Sequence, residues 1–245
     1  MFLCIEGNLN MNNKWKAIWN GRKPAADALA GSWQEVFLEL KRLNGYDVMG
    51  DGISLKAFLE EDAQTRELLG LSANSSVFEV GCGTGANIYL MARDGMTVGG
   101  TDYAESLIET ARKVLTTPTE LYSGEADTIA TEQKYDAVFS NGVFPYFPDE
   151  AYVERVLARM LEKSRGPIGI MGLHDIEKKE DYLAFRRANI PNYDELYKGL
   201  DRLFYSRSLF KNFAAAHNLD VKFPEIALDG YWNTPFIFNC FMYRK

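Results

Sequence analysis

The stretch VFEVGCGTGAN, Val77 to Asn87, sets three glycines within five residues directly after a run of apolar and β-branched side chains. The run predicts a strand ending at Val80, a turn from Gly81 to Gly85 and a helix starting near Asn87. Glycines in such a turn can take positive φ and let a ligand approach the main chain, and a helix N-terminus presents unpaired N–H groups. Taken alone, the loop fits either a ligand site or close packing of helix on strand.

Outward from this loop the chain alternates short β-rich runs with helical ones, the pattern of a parallel sheet covered by helices. Strands are expected at Ser76–Val80, Thr97–Thr101, Glu120–Tyr122, Tyr135–Ser140 and Ile168–Leu173. Between them, Asp102 to Leu115 sets Leu107, Ile108, Ala111 and Leu115 on one helical face, and Asp149 to Ser164 does the same with Val153, Val156, Leu157, Met160 and Leu161. After a helix begun by Ser206, LDVKFPE and TPFIFNCFMYRK read as two strands with little but a turn between them, hence antiparallel. Ahead of Ser76 the pattern is helical, in Gly31–Leu43 and Ser54–Leu71. The expected organisation is an N-terminal helical cap over 1–72, joined through the turn-rich LNGYDVMGDGIS (Leu43 to Ser54), and an α/β domain over 73–245 with an inserted cap at about 176–205. Trp15, Trp19 and Trp33 are expected to anchor the core of the N-terminal part, with one of them as a candidate cover for a ligand.

At 245 residues, 47% hydrophobic and 25% charged, the composition is that of an ordinary globular protein, and no stretch reaches the ~20 apolar residues of a membrane-spanning helix. The opening MFLCIEGNLN lacks the basic and apolar regions of a signal peptide, and the three cysteines, Cys4, Cys82 and Cys240, form no C-x-x-C pair. A cytoplasmic protein without disulfides or a metal site is expected, a monomer or homodimer. The net charge of −7 weighs against nucleic acid as a partner.

Asp102 ends the second strand, 21 residues beyond Gly81. A carboxylate there is placed to accept hydrogen bonds from both hydroxyls of a ribose, so loop and acid together imply a nucleoside-bearing cofactor. They leave NAD, FAD and S-adenosylmethionine open. The loop reads E-x-G-x-G-x-G, with Glu79 ahead of evenly spaced glycines, and not the G-x-G-x-x-G that seats a pyrophosphate. In this it resembles motif I of the class I S-adenosylmethionine-dependent methyltransferases; GTDYAESLIETARK and YDAVFSNGVFPYFPD (Tyr135 to Asp149) resemble that family's second and fourth segments.

The resemblance covers Ser76 to Gly172 and, more loosely, the chain to Lys245. It implies a three-layer Rossmann-like fold, a mostly parallel seven-stranded sheet ending in an antiparallel hairpin, and S-adenosylmethionine as cofactor with S-adenosylhomocysteine as product. By position it implies that Glu79, Gly81, Cys82 and Gly83 hold the amino-acid end of the cofactor, that the Ser140 carbonyl at the end of the fourth strand meets its ammonium group, and that Asn141 follows there. Asp102 and Tyr103 would meet the ribose, and Glu125, Ala126 or Asp127 in SGEADTI the adenine. Cys82 also fits as a small side chain that packs well.

Methyl transfer needs an aligned acceptor, plus a base where that acceptor is a hydroxyl or ammonium. Its site is expected over the carboxyl ends of the strands, where three segments emerge. The first carries Asn141, Tyr146 and Phe147. The second, beginning at His174, is too long for an ordinary connection; His174 is a candidate base, or a structural histidine, and Asp175 is a candidate to orient or replace it. Arg186 and Arg187 in this segment fit an anion clamp or a solvated helix face. The third is IALDGYWNTP (Ile226 to Pro235), with Tyr231, Trp232 and Asn233 facing the site if the sixth strand runs parallel to the sheet.

The cap tyrosines, with no N-P-P-Y sequence and no catalytic cysteine pair, favour a small-molecule acceptor methylated at O or N, a sugar or nucleotide-linked sugar among the options. The alternatives are a protein or RNA methyltransferase, a non-catalytic binder of the cofactor and, last, a nicotinamide oxidoreductase.

Overall fold

The computed structural model describes residues 11–50, 52–226 and 228–245. The opening decapeptide with Cys4, and Asp51 and Ala227 in the two turn segments named above, lie outside the described residues. A seven-stranded sheet in the order β3-β2-β1-β4-β5-β7-β6 forms the middle layer. Its strands are β1 (Ser76–Val80), β2 (Thr97–Asp102), β3 (Glu120–Ser123), β4 (Ala137–Asn141), β5 (Ile168–His174), β6 (Leu219–Lys222) and β7 (Ile237–Arg244). The pairs β1–β2, β2–β3, β1–β4 and β4–β5 are parallel, and β7 runs antiparallel to both β5 and β6. β6 is therefore parallel to the first five strands.

The first five expected strands recur to within two residues at each end, and the last two are each shorter by three residues at the end facing their link. The two last strands are antiparallel as expected, but the reason differs: residues 223–236 join them, a longer link than a turn, ending in a 3-10 turn at Thr234–Phe236. The pairing rests on the apolar strip of β7, which fills the gap beside β5 and buries Phe238, Cys240, Phe241 and Met242.

Alternate residues of each strand feed two cores. On one face Phe78, Val80, Val138, Ile168 and Ile170 pack with α6 (Glu150–Lys163) and α9 (Arg207–Ala216). On the other Val77, Val98, Ala137, Phe139 and Met171 pack with α4 (Ala86–Arg93) and α5 (Glu105–Val114). The stripe expected on α5 is buried, and on α6 Val153, Val156, Leu157 and Met160 are buried with Leu161 at the margin.

The N-terminal helices extend the second layer. α1 covers Met11–Asn20, α2 Trp33–Leu43 and α3 Leu55–Leu68. Ser32 begins α2 with a capping box: its hydroxyl accepts from the Glu35 N–H, and the Glu35 carboxylate accepts from the Ser32 N–H at 2.8 Å. Phe37, Leu40 and Phe58 from α2 and α3 share a core with Ala86 and Leu90 of α4, the helix that follows the glycine loop. The segment after β5 folds into α7 (Lys179–Asn189) and the short α8 (Tyr193–Leu196), standing over the carboxyl ends of the strands.

Candidate active site

The glycine loop takes up the backbone that its sequence anticipates. Gly81 and Gly83 lie at φ +74° and +53°, and a Cβ on either would collide with Val143 or with the Asn44 amide. Any larger residue here meets both a strained backbone and an occupied space. The Gly83 N–H donates to Asp102 Oδ2 at 2.9 Å and the Ala104 N–H donates to Oδ1 at 2.8 Å, so the acid at the end of β2 is locked against the loop. Asn44, which caps the C-terminus of α2, clamps the same loop from outside: its Oδ1 accepts from the Thr84 N–H at 2.9 Å.

Glu79 is buried beneath the loop. Its Oε1 accepts from Asn87 Nδ2 at 2.6 Å, while Oε2 is buried without a hydrogen-bond partner. Asn87 Oδ1 in turn accepts from Lys41 Nζ at 2.8 Å, and Lys41 reaches Glu61 Oε2 at 3.4 Å. Glu61 Oε1 accepts from Asn141 Nδ2 at 3.4 Å, which closes a polar network from α2 and α3 to the ends of β1 and β4. Desolvation pushes the Glu79 carboxyl up to about 8 against the pull of the Asn87 hydrogen bond, and pushes Asp102 up to about 6 against its two backbone hydrogen bonds.

Loop and cap share one cavity of about 590 Å³. At one end it is lined by Glu79, Gly81, Gly83, Asp102, Tyr103, Glu125 and Ala126, and at the other by Tyr146, His174, Arg186, Tyr231, Trp232 and Asn233, with Asn141 between. Helix α1 closes it: the Trp15 indole N–H donates to the Asp201 carbonyl at 3.1 Å, Trp15 and Trp19 meet the Tyr146 ring edge-on at 4.8 and 5.6 Å, and Lys16 pairs with Glu125 at 3.2 Å. Trp15 and Trp19 thus wall the cavity as well as anchoring α1, whereas Trp33 sits under the Arg93 guanidinium.

Five of the sequence candidates lie outside the cavity wall. Cys82 is buried against Gly100 on the far side of the loop, and Ser140 is buried within β4, its hydroxyl unpaired. Asp127 is held by Arg155 at 3.0 Å, leaving Glu125 as the acid of that segment in the wall. Arg187 is exposed and bonded to Asp194 at 3.0 Å, because neighbours on a helix point about 100° apart and Arg186 takes the inward direction. Asp175 corrects the expectation that it orients or replaces His174. It neither touches nor orients His174; its Oδ2 pairs with Arg207 at 2.7 Å and its Oδ1 accepts from the Glu177 N–H, since successive strand residues face opposite sides.

His174 does reach the cavity. Its Nε2 lies 3.2 Å from Asn233 Nδ2, and its Nδ1 and Asn233 Oδ1 are buried without partners. Burial, then the charges of Arg202 and Arg186, lower its pKa to about 3. At neutral pH the ring is uncharged and a weak base. Lys41, Glu61, Asn87, Asn44 and Arg202 belong to the site without any motif in the sequence to mark them. Lys41 and Glu61 carried a signal, each being a charge on the buried face of its helix, beside Phe37 and Phe58.

Residues 77–164 match the family model described as a methyltransferase domain. The matched residues run from β1 through α6 and carry the glycine loop and Asp102, the motifs whose spacing resembles that of the class I S-adenosylmethionine-dependent methyltransferases. Among solved structures the chain is similar to the S-adenosylmethionine-bound magnesium protoporphyrin IX methyltransferase of Synechocystis PCC 6803, at 12% identity and TM-score 0.60 over 98% of this chain and 100% of that one. It is similar also to an amino pentose methyltransferase of calicheamicin biosynthesis from Micromonospora echinaspora, at 14% identity and TM-score 0.57 over 78% of this chain and 90% of that one. The plantazolicin methyltransferase, solved with S-adenosylhomocysteine, matches at 14% identity and TM-score 0.57 over 95% of this chain and 99% of that one. At these identities the likeness is one of fold. No curated protein matches the chain in sequence.

Proposed function

We propose that the protein transfers a methyl group from S-adenosylmethionine to an oxygen or nitrogen of a small molecule held beneath α7 and α8. The observation that carries this reading is the single cavity running from the acid-lined glycine loop to the aromatic cap. The cofactor carries an ammonium, a sulfonium and one carboxylate, so its net charge is positive, and the loop end offers Glu79, Asp102 and Glu125. The fit is specific at two points. Glu79 Oε2 is a buried acceptor lacking a donor, which an ammonium would supply, and Gly81 and Gly83 leave bare backbone where a side chain would obstruct. Asp102 uses one lone pair of each oxygen on the loop and keeps the others for ribose hydroxyls.

When bound, the cofactor supplies a methyl group on positively charged sulfur, which a nucleophile displaces in line. The chain's part is alignment and exclusion of water. Trp15, Trp19 and Tyr146 cover the cavity, Asn233 holds the His174 ring, and Tyr231 and Trp232 line the acceptor end. A histidine held near 3 suits orientation of the acceptor better than removal of its proton. We assign it that role, which favours an acceptor atom already unprotonated at neutral pH. Acceptors of the three similar proteins, a magnesium porphyrin, an amino pentose and plantazolicin, support the small-molecule reading without singling out one class. A screen of candidate acceptors for release of S-adenosylhomocysteine tests the proposal; slow release that no small molecule accelerates, with a protein or RNA extract accelerating it, would replace it.

A further inference from the structure

The acidic lining lies at the loop end of the cavity, while two guanidinium groups at the cap end have no acid to balance them. Arg186 is 9% exposed and its Nε is buried without a partner. It is held by rings, with Tyr193, Tyr197 and Trp232 at 5.4, 5.0 and 4.8 Å from its guanidinium carbon, and rings fix a cation in place without neutralising it. Arg202 donates to the Tyr182 hydroxyl and lies over Trp15 and Tyr146 at 5.3 and 5.4 Å. Both charges act on His174 and on Tyr182, whose rings are 4.9 Å apart, so the two guanidiniums flank one spot. Among the described residues neither has a carboxylate within ion-pair distance, although Arg187 and Arg207 nearby are each paired with an aspartate. Arg22, also in the wall, already donates to the Leu43 carbonyl. Keeping two cations together in an aromatic pocket is costly unless an anion arrives to share them.

We infer that the cap end of the cavity is a subsite for an anionic group of the acceptor, a carboxylate or a phosphate, held between Arg186 and Arg202. Arginine presents a planar fork of donors that matches two oxygens of either group. His174 Nδ1 and Asn233 Oδ1, buried and unpaired at the same end, are further polar contacts for the ligand, and Trp232 and Tyr231 flank its body. The inference rests on the methyltransferase reading only in calling the ligand an acceptor.

Calorimetric titration of the whole protein with benzoate, phenyl phosphate and neutral benzamide, in buffer free of carboxylate and phosphate, tests it. At least one anion is expected to bind about tenfold or more tightly than benzamide, as charge-assisted bonds to arginine require. Preference for benzoate assigns a carboxylate, and preference for phenyl phosphate assigns a phosphate. Arg186→Gln and Arg202→Gln should each remove most of that preference and leave S-adenosylhomocysteine affinity unchanged, while Arg187→Gln should alter neither. If Arg186→Gln fails to fold, Arg186→Lys keeps the charge over the rings without the fork and should retain only part of the preference. The inference is overturned if neither anion binds below about 10 mM, if benzamide binds as well as both, or if the preference survives the Arg186 and Arg202 changes. Failure of S-adenosylhomocysteine to bind the unaltered protein would instead overturn the methyltransferase reading, and the anion preference would still be measured.

Discussion

Replacing Glu79 by glutamine should stabilise the ligand-free protein and weaken its hold on the cofactor. The amide oxygen of the new side chain can still accept from Asn87, so the shape of the site is kept and only the ability to ionise is lost. Desolvation holds the Glu79 carboxyl near 8 in the folded protein, against 4.5 ordinarily. A raised folded pKa contributes stability that is fully present below about 4.5 and is lost as pH rises toward 8, because the unfolded chain releases a proton that the folded one keeps. Each pH unit of that window is worth ~1.4 kcal/mol, which sets a ceiling of ~3 kcal/mol at pH 7, and relaxation of the site reduces the expected gain to roughly 1–3 kcal/mol. For a chain of this size that raises Tm by roughly 2–10 °C. Loss of a charge-assisted hydrogen bond to the cofactor ammonium costs ~1.5–3 kcal/mol, or roughly 10- to 100-fold in affinity. Urea denaturation at pH 5 and pH 7.5 and calorimetry with S-adenosylhomocysteine read the two effects, the stability gain being larger at pH 7.5. A variant less stable than the parent at pH 7.5, or one with undiminished affinity, refutes the placing of Glu79 as a buried acid that ionises when a cation arrives.

Two further substitutions separate the ends of the cavity. Asp102→Ala removes the proposed ribose acceptor and the partner of the Gly83 and Ala104 N–H groups, so cofactor affinity should fall by ~2–4 kcal/mol; calorimetry showing no change would end the ribose assignment. His174→Gln should lower turnover and leave S-adenosylhomocysteine affinity nearly intact, full activity marking the ring as structural only. Its acid behaviour is a second readout. With a folded pKa near 3, the His174 contribution to stability is complete above about 6.5 and is lost as pH falls toward 3. The variant should therefore lose less stability than the parent over that range in urea titrations, by up to ~4–5 kcal/mol.

The sheet was legible because its strands are short apolar runs between turn signals, and because a parallel pair needs the helices that the periodicity announces. The loop end of the site was legible for a related reason. Glu79, Gly81, Gly83 and Asp102 sit at the ends of adjacent strands, so sequence spacing translates directly into proximity. The cap end gave less away. That Arg186 faces inward and Arg187 outward follows from helical geometry only once the direction of the cavity is known, and Arg202, 16 residues on, had no feature to mark it as the partner. His174 and Asp175 are neighbours in sequence, yet the end of a strand sends them to opposite sides. The network from Lys41 through Asn87 to Glu79 joins three elements whose mutual packing no local pattern states. Its trace was a lysine and a glutamate on apolar helix faces, where a charge needs a partner to be buried.

On this reading the glycine loop holds a methionine-derived tail beside a ribose and not a pyrophosphate. Parallel calorimetric titrations of the protein with S-adenosylmethionine and with NAD test it most directly. Saturable binding of S-adenosylmethionine with no response to NAD is the predicted result, and tight binding of NAD with no response to S-adenosylmethionine would contradict it.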